Sequence, residues 1–208
     1  MERLTDDQSP TFEIARFLVE FLEVAVTSIV YLKAIYPAGA FERQRYLNLV
    51  VHRARHPQLK HYIHSTVTAL LPYLQKGLVE RLAVSFFSPD DEAVERFVFK
   101  FALNLSLNHK SIESELEVSV KSFLVKLLVA EPITKPLPKG CRWEITCYFR
   151  ILPQASTSED VLWIPSNGKQ WQHLPLITPV KSMTSDAASV QLYLEHPNTT
   201  CGCAHKEG

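Results

Sequence analysis

The sequence predicts an α+β fold in which three helices pack on one face of an antiparallel sheet. Three segments carry apolar residues at helical spacing, and several others alternate between apolar and polar residues, as half-buried strands do. These segments are not in regular βαβ alternation, so a mostly parallel sheet is not expected. The length of 208 residues suits a single domain with a full core.

The first predicted helix begins at Ser9 and Pro10, because serine caps a helix and proline fits its first turn. Apolar residues then recur every three or four positions, and the run stops before Pro37. The apolar arc is broader than a surface helix needs. This breadth predicts a largely buried helix that lies across the middle of the fold.

A short strand is predicted at residues 46–52, followed by a second helix. Pro57 suits the first turn of that helix, Pro72 would kink its last turn, and Gly77 ends it. The apolar residues between them keep to one helical face, which predicts that this helix buries one side.

Two strand-like segments, 78–87 and 93–102, predict an antiparallel hairpin, because the residues between them have turn chemistry. Three aromatic residues share one face of the second strand, and we expect that face to lie in the core. These residues are Phe97, Phe99 and Phe101.

A third helix is predicted from Ser111 through Leu128, where leucines and valines recur at helical spacing. The segment after it is rich in proline and breaks the chain. Strict alternation over residues 141–151 then gives the clearest strand in the sequence.

The stretch 160–195 contains Trp163, Trp171 and three prolines, and it ends in a period-two pattern. Val190, Leu192 and Leu194 fall on one face of this last strand, with polar residues on the other. We therefore expect a long irregular segment held at its end by a strand. Such a long loop in a compact domain is usually functional, and our interpretation is that it closes over a partner.

Charge and hydropathy exclude several classes of protein. Lys+Arg and Asp+Glu each total 22, which leaves no basic excess for direct binding of nucleic acid. The most apolar segment, residues 12–36, is interrupted by charged residues and does not predict a membrane span. The N-terminus has no secretory leader pattern, so we expect an intracellular protein whose four cysteines are free thiols.

Catalytic and metal-binding motifs are weak. The six glycines form no phosphate-binding loop, and no Gly-x-Ser-x-Gly nucleophile motif occurs, so a non-enzyme without a cofactor is expected. Cys201, Cys203 and His205 suggest a metal- or thiol-dependent enzyme as one hypothesis for this chain. Three residues in a short tail lack a second ligand pair, so no metal site is predicted.

Several blocks of the sequence resemble the HORMA-domain, non-catalytic subunits of translesion DNA polymerase zeta. The similarity runs from residue 12 to residue 195, with the blocks in the same order. It implies a HORMA domain at 11–195, with a core at 11–152, a C-terminal "safety belt" at 153–195, and flexible ends at 1–10 and 196–208. The blocks are FLEVAVTSIVYLKAIYP, HPQLKHYI, VERFVFKF, GCRWEITCYFR and PLITPVKSMTSDAASVQLYLE.

The resemblance implies an adaptor that acts in DNA damage tolerance in the nucleus. In that family the belt wraps over a proline-containing peptide of the catalytic subunit, and its outer side receives the C-terminal domain of the Y-family scaffold polymerase. Family members also self-associate, and an AAA+ ATPase that remodels the belt is a further expected partner. The alternative is a spindle-checkpoint or meiotic-axis HORMA adaptor that binds a closure peptide.

The same resemblance assigns roles to three groups of residues. One group grips the peptide, one forms the surface for the second partner, and one serves self-association. By position these are Tyr62, Trp163 and Pro165 for the peptide, Ile177, Gln191 and Tyr193 for the second partner, and Lys121 and Ala34 for self-association.

Overall fold

The structure is a computed structural model that describes residues 9–104, 112–151, 163–164, 171 and 173–198. Its helices are α1 (Pro10–Leu32), α2 (Pro57–Thr68), α3 (Leu71–Gln75) and α4 (Ile112–Leu128). Its strands are β1 (Phe41–Tyr46), β2 (Leu49–Ala54), β3 (Val79–Phe87), β4 (Ala93–Leu103), β5 (Arg142–Phe149), β6 (Leu176–Thr184) and β7 (Ala188–His196).

Five strands form one antiparallel sheet in the order β5-β3-β4-β7-β6, and β1 and β2 form a separate hairpin. The inward residues of this sheet share one core with α1, α2 and α4. Three longer helices on one face of an antiparallel sheet confirm the predicted α+β architecture.

The first helix is confirmed and lies at the centre of the core. The Ser9 hydroxyl accepts a hydrogen bond from the Phe12 backbone N–H at 3.2 Å, as expected of a helix cap. Phe21 is fully buried and meets Phe99 and Phe123 edge-on, with ring centroids 6.2 Å and 5.1 Å away. The helix therefore joins the sheet to α4 through aromatic packing.

Two predicted elements are corrected. The strand expected at 46–52 is a hairpin, because Leu47 and Asn48 turn the chain with φ of 49° and 62°. Positive φ at both central residues is the geometry of tight two-residue hairpins. The single kinked helix is two helices, because Pro72 lies in the first turn of α3 and α2 has already ended.

The phenylalanine-bearing hairpin is confirmed. β3 and β4 pair in antiparallel register, and all three inward phenylalanines of β4 are at most 1% exposed. α4 and β5 also occupy the predicted segments.

The final stretch contains one strand more than predicted. β7 keeps the expected alternation, with Val190, Leu192 and Leu194 buried, but β6 precedes it and pairs with it along its length. Pro179 concealed β6 from sequence reasoning, since proline lacks the N–H that a ladder needs. The ladder shifts register between Pro179 and Lys181, and β6 is an edge strand, where such a shift is tolerated.

The order of strands determines how the belt must run. β5 is one edge of the described sheet and β6 is the opposite edge, although β6 is the next described strand along the chain. The chain between them therefore connects opposite edges. After this connection the chain is held to the sheet by β7, which pairs with residues Arg96 to Leu103 of β4.

A buried charged cluster ties the end of β7 to the core. Lys33, at the end of α1, forms an ion pair with Glu95 of β4, and both side chains are at most 1% exposed. The Lys135 backbone adds a hydrogen bond to each partner, since its carbonyl accepts from the ammonium group and its N–H donates to the carboxylate at 3.2 Å. His196 Nδ1 lies 3.4 Å from the same carboxylate.

Replacing one member of the pair tests this cluster. We expect Lys33→Met to lower the free energy of unfolding by about 3 kcal/mol, because the buried Glu95 carboxylate loses its counter-charge. Urea titration measures the change, with Lys60→Met on the exposed face of α2 as the control. An equal effect of both substitutions would contradict the role given to the pair.

The cluster also predicts a dependence of stability on pH. Burial lowers the pKa of His196 below its ordinary value of 6.5, and Lys135 and Lys33 lower it further while Glu95 opposes them. As the pH falls, the unfolded chain binds a proton at His196 before the folded chain does. The contribution of neutral His196 to the free energy of unfolding is therefore complete above the ordinary pKa and is lost as the pH falls through that value.

We expect the stability difference between wild type and His196→Gln to shrink between about pH 7.5 and about pH 5.5. Burial and Arg43 also lower the pKa of His52, and its contribution is common to both proteins and cancels. Urea midpoints at each pH measure the difference, and parallel pH profiles would argue against titration of His196.

Candidate functional site

The outer edge of β5 is the first part of the candidate site. No strand pairs with this edge in the part of the chain that the structure describes. The Ile145 backbone N–H donates to the Tyr62 hydroxyl at 3.3 Å, so this N–H points away from β3. The hydroxyl of a helix residue thus occupies a backbone donor that an added strand would use.

Aromatic side chains line this edge. The Tyr62 ring packs edge-on against Trp143 at 5.3 Å between centroids, and the Trp143 indole N–H donates to the Tyr36 hydroxyl at 3.0 Å. Tyr62 and Tyr36 are 39% and 37% exposed, which leaves part of each ring open to a partner. These groups form a ledge that suits a proline ring, since proline-bearing segments dock on aromatic surfaces.

Trp163 closes the far end of the ledge. Its ring meets Phe149 edge-on at 6.5 Å, and Phe149 meets Tyr73 at 4.9 Å. Trp163 Nε1 is buried and makes no hydrogen bond within the described residues. A buried donor without an acceptor is costly, so a carbonyl placed here would be well bound. Pro165 lies outside the described residues.

The chemistry of this region suits binding. Burial, together with Glu144 and Tyr36, raises the pKa of Tyr62 while its bond to Ile145 opposes the rise, so its hydroxyl stays protonated. Burial raises the pKa of the Cys147 thiol to about 12, which keeps it a thiol. Among the described residues no group of three or more acidic, histidine or cysteine side chains could hold a metal, and no helix is long and apolar enough to cross a membrane.

The residues predicted for the second partner share the face of the sheet that the helices leave uncovered, which we call the outer face. Gln191 and Tyr193 alternate with the inward residues of β7, and Ile177 of β6 pairs with Glu195 on the same side. Ile177 is 60% exposed. The structure therefore brings the three side chains to one surface.

Trp171 fastens the belt to the outer face. Its indole N–H donates to the Glu195 carboxylate at 2.7 Å, and the Arg96 guanidinium lies 4.7 Å from its ring centroid. Arg96 and Glu195 pair across β4 and β7. Cation–π attraction and a charge-assisted hydrogen bond thus hold one residue of the crossing chain.

The two residues predicted for self-association are both exposed. Lys121 lies on α4, whose solvent face also carries Val118 and Val125 at 69% and 46% exposure. Ala34 follows α1 and has a φ of 48°. An exposed apolar stripe of this kind is typical of a surface that takes part in association.

Sequence reasoning missed Tyr36, Trp143, Tyr73 and Phe149. The alternation in β5 shows which of its residues share a face, but it does not show whether another element covers them. The missing information was that β5 is an edge strand, so its inward row continues into an open ledge.

Comparison with known proteins now identifies the family. A sequence model of the HORMA domain matches residues 15–158. The chain belongs to the HORMA domain family. It is 54% identical over 199 residues to the DNA polymerase zeta processivity subunit of Arabidopsis thaliana, across 95% of this chain and 92% of that protein. It is 32% identical over 190 residues to the mitotic spindle assembly checkpoint protein MAD2B of Homo sapiens, across 88% and 90%.

Solved structures agree with this HORMA fold. The crystal structure of the mitotic checkpoint complex contains a chain with a TM-score of 0.77 and 18% identity, over 89% of this chain and 99% of that chain. C. elegans HTP-2 bound to the HIM-3 closure motif has a TM-score of 0.72 and 12% identity, over 90% and 92%. At these identities the likeness shows the fold alone, and it confirms the predicted HORMA architecture.

The contacts of Trp171 predict a measurable loosening of the HORMA domain. We expect Trp171→Ala to speed amide hydrogen exchange in β6 roughly tenfold or more, because it removes the cation–π contact and the bond to Glu195. Trp171→Phe keeps a ring for Arg96 and should have a smaller effect. Amides of β3 serve as the internal reference, and unchanged exchange in β6 would show that Trp171 does not fasten the belt.

Proposed function

We propose that this HORMA domain is an adaptor subunit of translesion DNA polymerase zeta. It captures a proline-containing peptide of the catalytic subunit under a safety belt at residues 153–195, within a domain at 11–195 whose core is 11–152. Identity of 54% to a protein named the DNA polymerase zeta processivity subunit supports this assignment.

The observation that carries the proposal is the edge of β5, with which no described strand pairs, and the aromatic ledge beside it. An extended peptide that pairs with this edge would gain backbone hydrogen bonds along the strand. The chain that follows β5 must return to the opposite edge, so the captured segment lies between the sheet and the belt. Release then requires the belt to move, which slows dissociation.

Each gripping residue has a specific task. Tyr62 turns its hydroxyl from the Ile145 N–H to the peptide, and the freed N–H donates to a peptide carbonyl. Trp163 donates its buried indole N–H to a second carbonyl. Trp143 supplies further ring surface beside Tyr62, and Pro165 contributes to the same pocket.

The outer face receives the second partner, the C-terminal domain of the Y-family scaffold polymerase. Ile177, Gln191 and Tyr193 form the contact surface, which combines an exposed apolar side chain with two polar ones. Tyrosine is enriched at such interfaces because it offers a large ring and a polar tip. The adaptor therefore presents the edge of the sheet to one polymerase and its outer face to the other.

The finer parts of the proposal follow from the same assignment. The protein acts in the nucleus without catalysis and without direct contact to nucleic acid, self-associates through Lys121 and Ala34, and is opened by an AAA+ remodelling ATPase. The alternative, a checkpoint or meiotic-axis adaptor, is supported by the name of the human relative at 32% identity. The higher identity to the plant polymerase subunit favours the first assignment.

Peptide capture gives the direct test. A labelled proline-containing peptide of the catalytic subunit should bind in fluorescence anisotropy, and Tyr62→Ala or Trp163→Ala should weaken binding roughly tenfold or more, as expected for central aromatic anchors. Tyr62→Phe separates the two tasks of the tyrosine, because it keeps the ring and loses the hydroxyl.

His61→Ala, an exposed position on the same helix, is the matched control and should leave affinity unchanged. Replacing the peptide proline by alanine tests the ledge from the other side. Full affinity of both aromatic variants would refute the pocket, and tighter binding of a checkpoint or axis closure peptide would favour the alternative function.

A further inference from the structure

A cavity of about 510 Å³ lies on the outer face between the sheet and the chain at Trp171. Ala83 and Val98 form its floor, and they are only 1% and 3% exposed although they lie outside the core that the helices share. His173 and Pro175 belong to its wall on the belt side. Its size is within the range of pockets that hold ligands or anchoring side chains.

Two arginines face this cavity, each stacked on an aromatic ring. Arg96 lies over Trp171, and Arg81 lies over Tyr148 at 4.7 Å from the ring centroid. The carboxylate of Glu195 is held by the Trp171 indole N–H at 2.7 Å, and it lies 3.8 Å from Arg96. At the end of the cavity near Trp171, which we call the upper end, the charges of Arg96 and Glu195 thus compensate each other.

At the opposite end of the cavity, which we call the lower end, Arg81 and its neighbour Lys100 give the surface a positive charge. Arg81 Nε lies 3.4 Å from the partly exposed Glu80 carboxylate, in a geometry that makes no hydrogen bond. Arg81 also pairs across the strands with Lys100, which is exposed. A guanidinium stacked on a ring beside a lysine is well suited to receive a carboxylate from a partner.

The cavity is continuous with the surface proposed for the second partner. Val98 of its floor pairs with Tyr193, and Lys100 beside its lower end pairs with Gln191. Burial raises the pKa of Tyr193 while the nearby Arg81 side chain opposes the rise, so the arginine and the tyrosine belong to one contact region. A partner that covers Tyr193 and Gln191 therefore reaches the mouth of the cavity.

We propose that the cavity receives an acidic side chain, aspartate or glutamate, of the protein that docks on the outer face. The carboxylate pairs with Arg81, and the apolar part of the side chain lies on Ala83 and Val98. This inference rests on the proposed function, because the partner is the C-terminal domain of the Y-family scaffold polymerase. Apolar surface around a desolvated charge pair is the arrangement that gives an interface its specificity.

Binding of that domain to the full chain, loaded with the polymerase peptide, is the test. We expect Arg81→Glu to weaken binding roughly tenfold or more and Arg81→Gln to weaken it less, with the larger effect at low salt. Arg45→Glu on the exposed strand β1 makes the same charge change elsewhere and should have no effect. Peptide capture, measured in parallel, confirms that each variant is folded.

Charge reversal in the partner identifies the acidic residue. Each aspartate and glutamate of the domain is changed to lysine in turn, and one such variant should restore binding to Arg81→Glu. Loss of binding by Tyr193→Ala with full binding by both Arg81 variants would overturn the inference and leave the proposed function standing. Failure of the wild-type chain to bind the domain would overturn both.

Discussion

The buried pair of Lys33 and Glu95 fixes how the last strand lies on the sheet. A carboxylate without exposure to water is stable only beside a matched cation and hydrogen-bond donors, and α1 and the Lys135 backbone provide them. His196 completes the cluster from the end of β7. A slip of one residue would bring Glu195 to a site that already holds a carboxylate, so the charged cluster specifies the register of β7.

The register of β7 in turn decides which side chains face outward. With His196 directed to the cluster, Gln191 and Tyr193 lie on the outer face and the three aliphatic residues between and beside them lie in the core. One electrostatic constraint at the end of β7 thus sets the composition of a surface several residues away. The ladder between β4 and β7 transmits it, because strand residues alternate strictly between faces.

The sequence was sufficient to predict helices and strands with regular apolar spacing. It was not sufficient to predict which strands lie next to each other in the sheet. α1, β4 and β7 were predicted because their apolar spacing is regular, whereas Pro179 hid β6. The turn at Leu47 and Asn48 was missed because leucine rarely adopts positive φ. Tyr62 and Trp163 were named by family resemblance, but the edge position of β5 and the pocket over Ala83 depend on strand order, which alternation does not encode.

The position of β5 would allow both proposed partners to bind this small domain at once. Successive residues of this strand face opposite sides of the sheet, so Phe149 meets Trp163 on the inner side while Tyr148 stacks under Arg81 on the outer side. A peptide on the edge and a protein on the outer face would therefore approach β5 from different sides, without competing for the same atoms. The peptide would contact the crossing chain at Trp163, and the protein on the outer face would contact it near Trp171. Each partner would then stabilise the belt arrangement that the other requires, which is the thermodynamic basis of positive coupling.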